Sequence, residues 1–267
     1  MSDSDLQAQV AAAKAYEEFF VPALFGEWAS RVATVAQIQR GHHVLDVACG
    51  TGVLAREAAS RVGPSGFVAA LDPSPGMLAV AAQLAPSIEW RQGTAEALPY
   101  PDHRFDTVVS QFGLMFFADR RQALHEMHRV LKRGGRLAVA VWASLESAPA
   151  YAAEVALVER IAGTRAADAL RAPFVLGDAK ELAHLVASTN VVEATITTQP
   201  GVARFPSIRF MVEADLRGWL PLMGVVLTED QIDRILREAQ HVLSPYVTAA
   251  GTMTFELAAH VVSGTKS

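Results

Sequence analysis

The pattern of apolar and polar positions divides the chain into a helical N-terminal part, a regular central part and a less regular C-terminal part. Residues 5–40 carry apolar side chains at helical spacing and predict two helices, with Pro22 in the first turn of the second. From residue 43, short apolar runs alternate with helical segments. Strands without internal polar alternation, separated by helices, are typical of a parallel sheet covered on both faces.

The central part contains five predicted strands and three predicted helices. The strands are expected at 43–48, 66–72, 88–93, 105–111 and 136–142. The helices are expected at 52–61, 74–85 and 119–132, and the last of them stops at Gly134 and Gly135. The basic residues of 129–136 are accordingly interpreted as a helix C-terminus, where cations complement the helix dipole.

After residue 142 the regular alternation of predicted strands and helices ends. Helices are predicted at 147–163 and 177–189, and a strand at 191–205. A helical stretch at about 206–248 precedes a last strand at 253–264. Because the sheet does not require a helical insertion before its last strand, the stretch is interpreted as a lid or substrate cover.

Composition limits the classes of function. With 267 residues, 51% of them hydrophobic and 19% charged, the chain can bury a sizeable core. A net charge of −5 argues against a nucleic-acid partner, which normally selects a basic face. The single cysteine, Cys49, excludes an intramolecular disulfide framework and a cysteine-rich zinc site, and we expect no bound metal.

Two further features concern location. No apolar run approaches the 18 residues of a membrane-spanning helix, so no membrane span is expected. The N-terminal residues are acidic where a signal peptide needs basic ones, and no apolar segment follows them. These features predict a cytoplasmic protein.

The stretch VLDVACGTG at 44–52 carries the first chemical signal. Gly50 and Gly52 follow the first strand, where glycines let the backbone approach a ligand and adopt φ values that other residues avoid. In parallel sheets ligands bind beyond the carboxyl ends of the strands. Asp72 closes the second strand, where a carboxylate can accept hydrogen bonds from both ribose hydroxyls of an adenosine.

Asp46 narrows the choice of nucleotide. It interrupts an apolar strand, so its burial is costly unless a cation or a donor lies close, and a ligand with an ammonium or sulfonium group would supply one. The loop has the spacing A-x-G-x-G at positions 48, 50 and 52, and no third glycine follows, position 53 being Val. Dinucleotide sites favour G-x-G-x-x-G. The pattern therefore favours an adenosine ligand without phosphates over NAD.

Four stretches together resemble a class I S-adenosylmethionine (SAM) dependent methyltransferase. They are VLDVACGTG, ALDPSPGML, GTAEALPYPDHRFDTVVSQFGLMFF and ALHEMHRVLKRGGRLAVAVW, and they span about 40–145 in consistent order. The similarity is greatest to the small-molecule branch that includes ubiquinone and menaquinone methyltransferases. The resemblance implies an α/β fold with a Rossmann-like seven-stranded sheet, mostly parallel with an antiparallel last strand. It also implies helices on both faces, with N-terminal helices and a helical lid insertion added.

The resemblance assigns roles by position. Asp46 and the backbone of Gly50 and Gly52 would lie beside the methionine portion of SAM, and Asp72 would hold the ribose. Gln111 and Phe112 would face the methionine portion and the transferred methyl group. The complete set of expected SAM-binding residues is Asp46, Ala48, Gly50, Gly52, Asp72, Pro73, Met77, Gly93, Thr94, Ala95, Glu96, Gln111 and Phe112.

Some of these assignments have alternatives. Met77 would pack on the adenine, but it is equally expected as a core methionine, and Phe112 as a core wall. Family members often carry Asp where this chain has Thr94, so the contact to the adenine amino group is weaker or made by the hydroxyl. Cys49 is interpreted as a small loop residue rather than a nucleophile. Tyr16 either reaches over the SAM site or, the favoured interpretation, is exposed or packed in the core.

The expected reaction is in-line methyl transfer, in which the enzyme aligns nucleophile, methyl group and sulfur and excludes water. None of the eight histidines stands out as a base, and the sequence predicts no catalytic residue. Cytosine and DNA-amine methylation are disfavoured because the stretch SQFGLMFF lacks their nucleophile and motif. Apolar residues of the lid favour an apolar or aromatic small-molecule acceptor, with ordinary helix packing as an equal alternative: Phe205, Phe210, Met211, Trp219, Leu220, Pro221, Leu222 and Met223.

The sequence thus predicts one methyltransferase domain over 1–267. It comprises N-terminal helices at 1–40, a SAM-binding core at 41–145 and a C-terminal half at 146–267 that contains the lid. S-adenosylhomocysteine would be the product of the donor, and the oligomeric state is not predicted. Two alternatives stay open: an NAD(P)-dependent oxidoreductase, opposed by Asp46 and the missing third glycine, and a non-catalytic SAM-binding protein.

Overall fold

The chain forms one large sheet flanked by helices, with a small second sheet beside it. The computed structural model describes residues 3–187, 189 and 192–267. Positions 188 and 191, at the end of a predicted helix and the start of a predicted strand, lie outside the described residues. Within these residues the strands are β1 His43–Val47, β2 Phe67–Asp72, β3 Glu89–Gln92, β4 Phe105–Gln111, β5 Leu131–Trp142, β6 Val192–Gln199, β7 Val202–Phe205, β8 Met253–Glu256 and β9 Ala259–Thr265.

The helices lie before, between and after these strands. The α-helices are α1 Asp3–Ala15, α2 Gly26–Val35, α3 Val53–Val62, α4 Pro75–Leu84, α5 Arg120–Val130, α6 Pro149–Ala162, α7 Thr164–Arg171, α8 Ala179–Ala187, α9 Ile208–Glu213, α10 Leu220–Leu222 and α11 Glu229–Val242. Two further segments are π-helical, Tyr16–Phe25 and Ala214–Trp219, and are called the first and second π segments. Short 3-10 turns complete the connections.

The large sheet has seven strands in the order β3-β2-β1-β4-β5-β9-β6. Strands β1 to β5 pair in parallel, and β9 pairs antiparallel with both β5 and β6. Strands β1, β2 and β4 are buried over most of their length on both faces, which explains their largely apolar sequences, whereas the edge strand β3 is polar and partly exposed. The predicted fold class, a mostly parallel seven-stranded sheet with an antiparallel last strand, is confirmed.

The strand order places the site. β1 lies between β2 and β4, and the chain leaves β1 toward β2 before it returns on the other side at β4. Register pairs Asp46 with Ala70 on β2 and with Val109 on β4. The carboxyl ends of β1, β2 and β4 therefore meet at one edge of the sheet, where such folds bind ligands.

The N-terminal part differs from the prediction. Two helices were expected with Pro22 in the first turn of the second, but Pro22 lies inside the first π segment, between α1 and α2. This segment ends with the Gly26 N–H donating to the Val21 carbonyl five residues earlier, a π-type bond. The wider turn accommodates the proline ring, which an α-helical turn would force against a carbonyl.

The prediction for the basic stretch 129–136 is correct for Arg129, in the last turn of α5, and wrong for the residues after it. Helix α5 ends at Val130, and β5 begins at Leu131 rather than at residue 136. Leu131 pairs with Phe105, and Lys132 Nζ donates to Asp106 Oδ1 over 2.8 Å. Pairing with β4 therefore extends the strand back through the two glycines, and Lys132, Arg133 and Arg136 belong to the strand rather than to a helix terminus.

Two predicted C-terminal strands each divide into two. The strand expected at 191–205 is interrupted at Pro200 and Gly201, giving β6 in the large sheet and β7 outside it. The strand expected at 253–264 divides into β8 and β9. Strands β7 and β8 form the small antiparallel sheet, which the sequence did not predict. The helical insertion at 206–248 is confirmed, since α9, the second π segment, α10 and α11 lie there.

Helix α1 docks on α4 through a close backbone approach at Gly76. A Cβ added to this buried glycine would lie 2.6 Å from backbone and side-chain atoms of Gln9. No side chain can therefore separate the two helices at this point. Because α1 leads directly into the first π segment, its docking fixes where that segment begins.

We expect Gly76→Ala to loosen α1 without unfolding the sheet. The overpacking should destabilise the docked position of α1 by about 1–3 kcal/mol, which speeds amide exchange in Asp3–Ala15 by about fivefold or more. Hydrogen exchange read by mass spectrometry measures this, with peptides from β1 as the internal reference. Gly218→Ala is the matched control, because its nearest neighbour, Phe20, would lie at an ordinary 3.5 Å. Unchanged exchange in α1 would contradict the proposed contact.

Candidate functional site

A cavity of about 440 Å³ lies at the carboxyl ends of β1, β2 and β4. Its walls come from the loops after these strands, from the stretch after β3 and from the first π segment. Eleven of the thirteen expected residues line it: Asp46, Ala48, Gly50, Asp72, Pro73, Met77, Thr94, Ala95, Glu96, Gln111 and Phe112. The sequence therefore located residues that the fold brings to one place.

The loop after β1 has a left-handed backbone at three alternate positions. The φ angles are +57° at Ala48, +55° at Gly50 and +86° at Gly52. This confirms that the glycines adopt conformations other residues avoid, and Ala48 adopts one despite its Cβ. The geometry turns the chain sharply from β1 into α3, so that the loop backbone faces the cavity.

Gly52 and Gly93 do not line the cavity. A Cβ at Gly52 would lie 2.4 Å from the Trp90 ring, and one at Gly93 would lie 2.9 Å from a Leu71 methyl group. Both glycines thus permit close packing behind the cavity wall. The two glycines therefore affect the site by allowing the backbone to follow this course, and they do not contact the cavity themselves.

Asp46 is the least satisfied polar group of the wall. Its side chain is 1% exposed, and neither carboxylate oxygen has a hydrogen-bond partner among the described residues. Burial raises its pKa well above the usual value, and the charge of Asp72 adds to the shift. The nearby backbone amide of Ala55 lowers the pKa of Asp46 in part, but it does not reach hydrogen-bond geometry with either carboxylate oxygen. A cationic group in the cavity would therefore be strongly favoured beside Asp46.

Asp72 joins two loops around the cavity. Its Oδ2 accepts a hydrogen bond from the Gly50 amide over 2.8 Å, and its Oδ1 accepts one from the Ser74 amide over 2.9 Å. Burial nevertheless raises the pKa of this carboxyl, because desolvation outweighs the two hydrogen bonds. Each oxygen keeps a second lone pair for a ligand hydroxyl.

The stretch after β3 forms another wall and is tied across the site. Glu96 Oε1 accepts hydrogen bonds from the backbone amides of Ala118 and Asp119, over 2.9 and 3.3 Å. This links the loop after β3 to the loop after β4. Thr94 beside it is exposed, so its hydroxyl is accessible.

Gln111 and Phe112 lie at the end of β4 and line the cavity. Phe112 also lines a second, smaller cavity described below. Gln111 Nε2 donates to the Phe25 carbonyl over 3.1 Å, and its Oε1 is buried without a partner. Phe112 has a φ of +57°, and its ring stacks on Trp142 with a centroid distance of 3.7 Å. The strained backbone turns this ring into the wall of the cavity.

Tyr16 lies over the site, contrary to the favoured interpretation. It lines the cavity and lies next to Gly50, with its ring stacked on Phe25 at 5.4 Å. An ion pair of 2.6 Å between Glu17 and Arg56 fastens this part of the first π segment to α3. Burial and the nearby Asp72 raise the pKa of Tyr16, which remains a neutral phenol.

A second, smaller cavity of about 90 Å³ adjoins the first. The two share the side chains of Tyr16, Phe25, Phe112 and Phe116 as walls. The smaller cavity is mostly aromatic, and its remaining lining residues are Phe20, Leu24, Trp142, Tyr151, Leu170, Pro173, Phe174, Asp215, Trp219 and Leu257.

The lid supplies fewer cavity residues than its sequence suggested. Trp219 lines the smaller cavity and Leu222 the larger one. Phe205, Met211 and Leu220 are instead fully buried in the core. The sequence missed the contributions of Phe25, Trp142 and Tyr151, among others, because these side chains look like ordinary core residues in their helices and strand.

Two other reactive side chains, Cys49 and His260, are not placed for catalysis. Cys49 lines the cavity, and burial raises the pKa of its thiol well above the usual value, so it is not a ready nucleophile. His260 is buried with Nδ1 bonded to Thr198 and Nε2 to the Gly177 carbonyl. Among the residues that the structure describes, no cluster of side chains could hold a metal ion, and no helix is long and apolar enough to cross a membrane.

Comparison with known proteins connects this site to a family. Residues 45–139, about a third of the chain, match the model of a methyltransferase domain. A ubiquinone/menaquinone biosynthesis C-methyltransferase of Pseudoalteromonas translucida is 40% identical over 118 residues, which cover 42% of this chain and 47% of that protein. The chain spans about half the length of the curated relatives it matches.

Solved structures share the fold beyond the matched segment. A methyltransferase assigned to an antibiotic biosynthesis pathway of Anabaena variabilis has a TM-score of 0.66 at 17% identity, covering 90% of this chain and 96% of that one. A phosphoethanolamine N-methyltransferase of Haemonchus contortus, solved with S-adenosylhomocysteine, has a TM-score of 0.60 at 16% identity, covering 96% and 57%. At these identities the likeness concerns the fold alone.

We expect Asp46→Asn to stabilise the ligand-free protein at pH 8 by about 1–3 kcal/mol. The folded-state pKa of Asp46 is raised, so the native state loses stability as pH rises above the unfolded-state value near 4, and Asn removes that loss. The advantage should therefore shrink toward pH 4. Urea unfolding at several pH values measures it, with the exposed Asp233→Asn as control. Destabilisation at pH 8 would mean that the carboxylate has a partner in solution.

Proposed function

We propose that this chain, whose residues 45–139 match the model of a methyltransferase domain, transfers the methyl group of SAM to a small apolar or aromatic acceptor. The observation that carries the proposal is the buried, unpartnered carboxylate of Asp46 beside a left-handed loop in a cavity of about 440 Å³. A zwitterionic adenosine ligand with a sulfonium fits this wall, because it brings positive charge to an acid that lacks a partner.

The residues present fit SAM at each of its parts. Asp46 and the loop backbone at Gly50 would hold the methionine portion, and Asp72 the ribose hydroxyls. Met77 and the stretch Thr94–Glu96 would bound the adenine, with the Thr94 hydroxyl in place of the more frequent carboxylate. Gln111 would use its free Oε1 toward the methionine ammonium. SAM would supply an already activated methyl group.

The chain's own contribution to the reaction would be alignment and exclusion of water. Phe112 and Phe25 are shared by both cavities, so an acceptor in the smaller one would lie against the same aromatic wall as the donor in the larger one. Tyr16 would cover the donor from the N-terminal side. Such an arrangement provides the orientation on which in-line displacement depends.

Further parts of the proposal extend to the whole chain. We take residues 1–267 as one functional unit, because side chains from the N-terminal helices, the sheet and the lid belong to one hydrophobic core. We also propose a cytoplasmic protein that does not act on nucleic acid, in agreement with its negative net charge. We propose a small quinone-like ring as the acceptor class, since the relative named above is a ubiquinone/menaquinone biosynthesis C-methyltransferase.

Calorimetric titration with SAM, S-adenosylhomocysteine and NAD(P)H tests the proposal. We expect both adenosyl ligands to bind and NAD(P)H not to bind. Binding of NAD(P)H alone would favour the oxidoreductase alternative. Tight binding of SAM without methyl transfer to any of a broad set of acceptors would favour a non-catalytic SAM-binding protein.

We expect Asp72→Ala to weaken SAM binding by about 1–3 kcal/mol through the loss of hydrogen bonds to a charged group. Calorimetry measures the change, and circular dichroism checks that the variant is folded. Asp233→Ala, at an exposed position of α11, is the matched control and should bind SAM like the wild type. Unchanged affinity in folded Asp72→Ala would show that the ribose assignment is wrong.

A further inference from the structure

Among the described residues that line the smaller cavity, one carries a carboxyl group, and the others are aromatic or aliphatic. Asp215, on the second π segment, lines this cavity and is 4% exposed. It does not line the larger cavity. A charged group among aromatic rings is costly unless it serves a ligand or has a partner.

The partner of Asp215 is a second acid. Glu154 of α6 is completely buried, and its carboxyl faces that of Asp215. Among the described residues, no N–H or O–H group reaches Glu154 Oε1, Glu154 Oε2 or Asp215 Oδ2. The two carboxyls interact with each other, and one proton held between them would satisfy the pair.

The two acids are not equivalent. Burial raises the pKa of Glu154 well above its usual value, and the charge of Asp215 raises it further. Burial also raises the pKa of Asp215, to about 7, but the hydrogen bond from Glu154 opposes the rise. Glu154 is therefore the member that keeps the proton near neutral pH. Asp215 is the member that faces the cavity and exchanges a proton with its contents.

The location of Asp215 relative to the donor site supports a chemical role. The smaller cavity shares the rings of Tyr16, Phe25, Phe112 and Phe116 with the larger one. Both π segments contribute to it, Phe20 and Phe25 from the first and Asp215 and Trp219 from the second. Isolated π-helical turns in proteins occur frequently at functional sites.

The chemistry of the pair favours an acceptor hydroxyl over an amine. A phenol or enol must lose its proton to become a good nucleophile, and a base with a pKa near the working pH is suited to accept it. An aliphatic amine beside the same carboxylate would be held as an ammonium ion without a free lone pair. An aromatic amine is neutral near pH 7 and needs no base before it attacks, so it gains nothing from the carboxylate. Flat aromatic walls and a volume of about 90 Å³ also suit a small planar ring.

We infer that Asp215 is the proton acceptor for a phenolic or enolic hydroxyl of the methyl acceptor, and that Glu154 is a positioning residue behind it. This inference rests on the proposed methyltransferase function. The hydroxyl proton passes to the Asp215 carboxylate, and the acceptor oxygen forms the new bond to the methyl carbon. The bond from methyl to sulfur breaks, and its electron pair remains on sulfur, so charge and atoms balance.

The pH dependence follows from the groups around Asp215. The titratable groups that face it are Glu154 and Tyr151 on α6, with Tyr16 across the cavity on the first π segment. Burial raises the pKa of both tyrosines, so they stay neutral in the working range. Asp215 must be ionised to accept a proton. The turnover rate should therefore fall as pH decreases below about 7.

The decisive experiment compares wild type with Asp215→Asn on mono- and bicyclic phenols and on the amines of the same shape. Phenol, catechol and 2-naphthol are matched by aniline, 1,2-diaminobenzene and 2-naphthylamine. S-adenosylhomocysteine release gives the rate, and mass spectrometry identifies the ether. We expect turnover of phenols, a loss of at least about 100-fold in Asp215→Asn, and a change of less than about twofold in the Kd for SAM.

The exposed Asp233→Asn serves as control and should keep wild-type rates. Full activity of Asp215→Asn, preference for the amines, or turnover of neither series while SAM binds would each overturn the inference. Failure to bind SAM at all would instead count against the proposed function.

A second measurement does not depend on turnover. Both acids have raised folded-state pKa values, so the unfolding free energy of the wild type should fall as pH rises from 5 to 8. Asp215→Asn should show a smaller fall, and it should be no less stable than wild type at pH 8. An equally steep fall in both proteins would overturn the buried pair.

Variants at Glu154 separate positioning from simple packing. Glu154→Gln keeps a donor toward Asp215 and should retain most of the turnover rate. Glu154→Leu removes the donor, so the low-pH limb of the rate profile should move to higher pH. Equal pH profiles in the two variants would show that Glu154 has only a structural role.

Discussion

The position of β1 between β2 and β4 is the constraint on which the rest of the molecule depends. Connections that leave β1 on opposite sides open a gap at its carboxyl end, and the same register brings Asp46, Asp72 and Gln111 to that gap. The helices that follow β1, β2 and β4 pack on the faces of the sheet, so they do not cover the gap at its edge. The first π segment closes it from outside, and for this reason the N-terminal helices belong to the site as well as to the core.

Much of the central fold and the candidate site could be predicted, because their signals are local. Strand β4 has a short β-branched centre with clear boundaries on both sides, and its predicted limits, 105–111, agree with the structure. An acid inside an apolar strand, as at Asp46, indicates a buried charge wherever the strand lies in the sheet. Most expected SAM-binding residues lie at or directly after the ends of parallel strands. A correct prediction of the sheet therefore places them together at one edge. Their individual contacts with SAM remain predictions.

The features that could not be predicted depend on contacts between distant parts of the chain. The start of β5 is set by pairing with Phe105 rather than by the helix signal before it. Pro22 indicates a helix start by its usual preference, but tertiary packing selects a π-helical turn around it. Glu154 and Asp215 each interrupt an apolar helical face, which was a usable signal of burial. Their pairing, however, follows only from the packing of the lid against α6.

The two π segments give the acceptor side of the site an unusual freedom to change. A π-helical turn contains more residues than an α-helical turn, so deletion of one residue could return either segment to an α-helix. Each residue before or after the deletion would then rotate by about 100° around the helix axis, the angle that separates neighbours in an α-helix. One such event would replace the side chains that face the acceptor while the donor loop after β1 stays unchanged. Evolution, or a protein engineer, could thus exchange acceptors by changing length rather than composition.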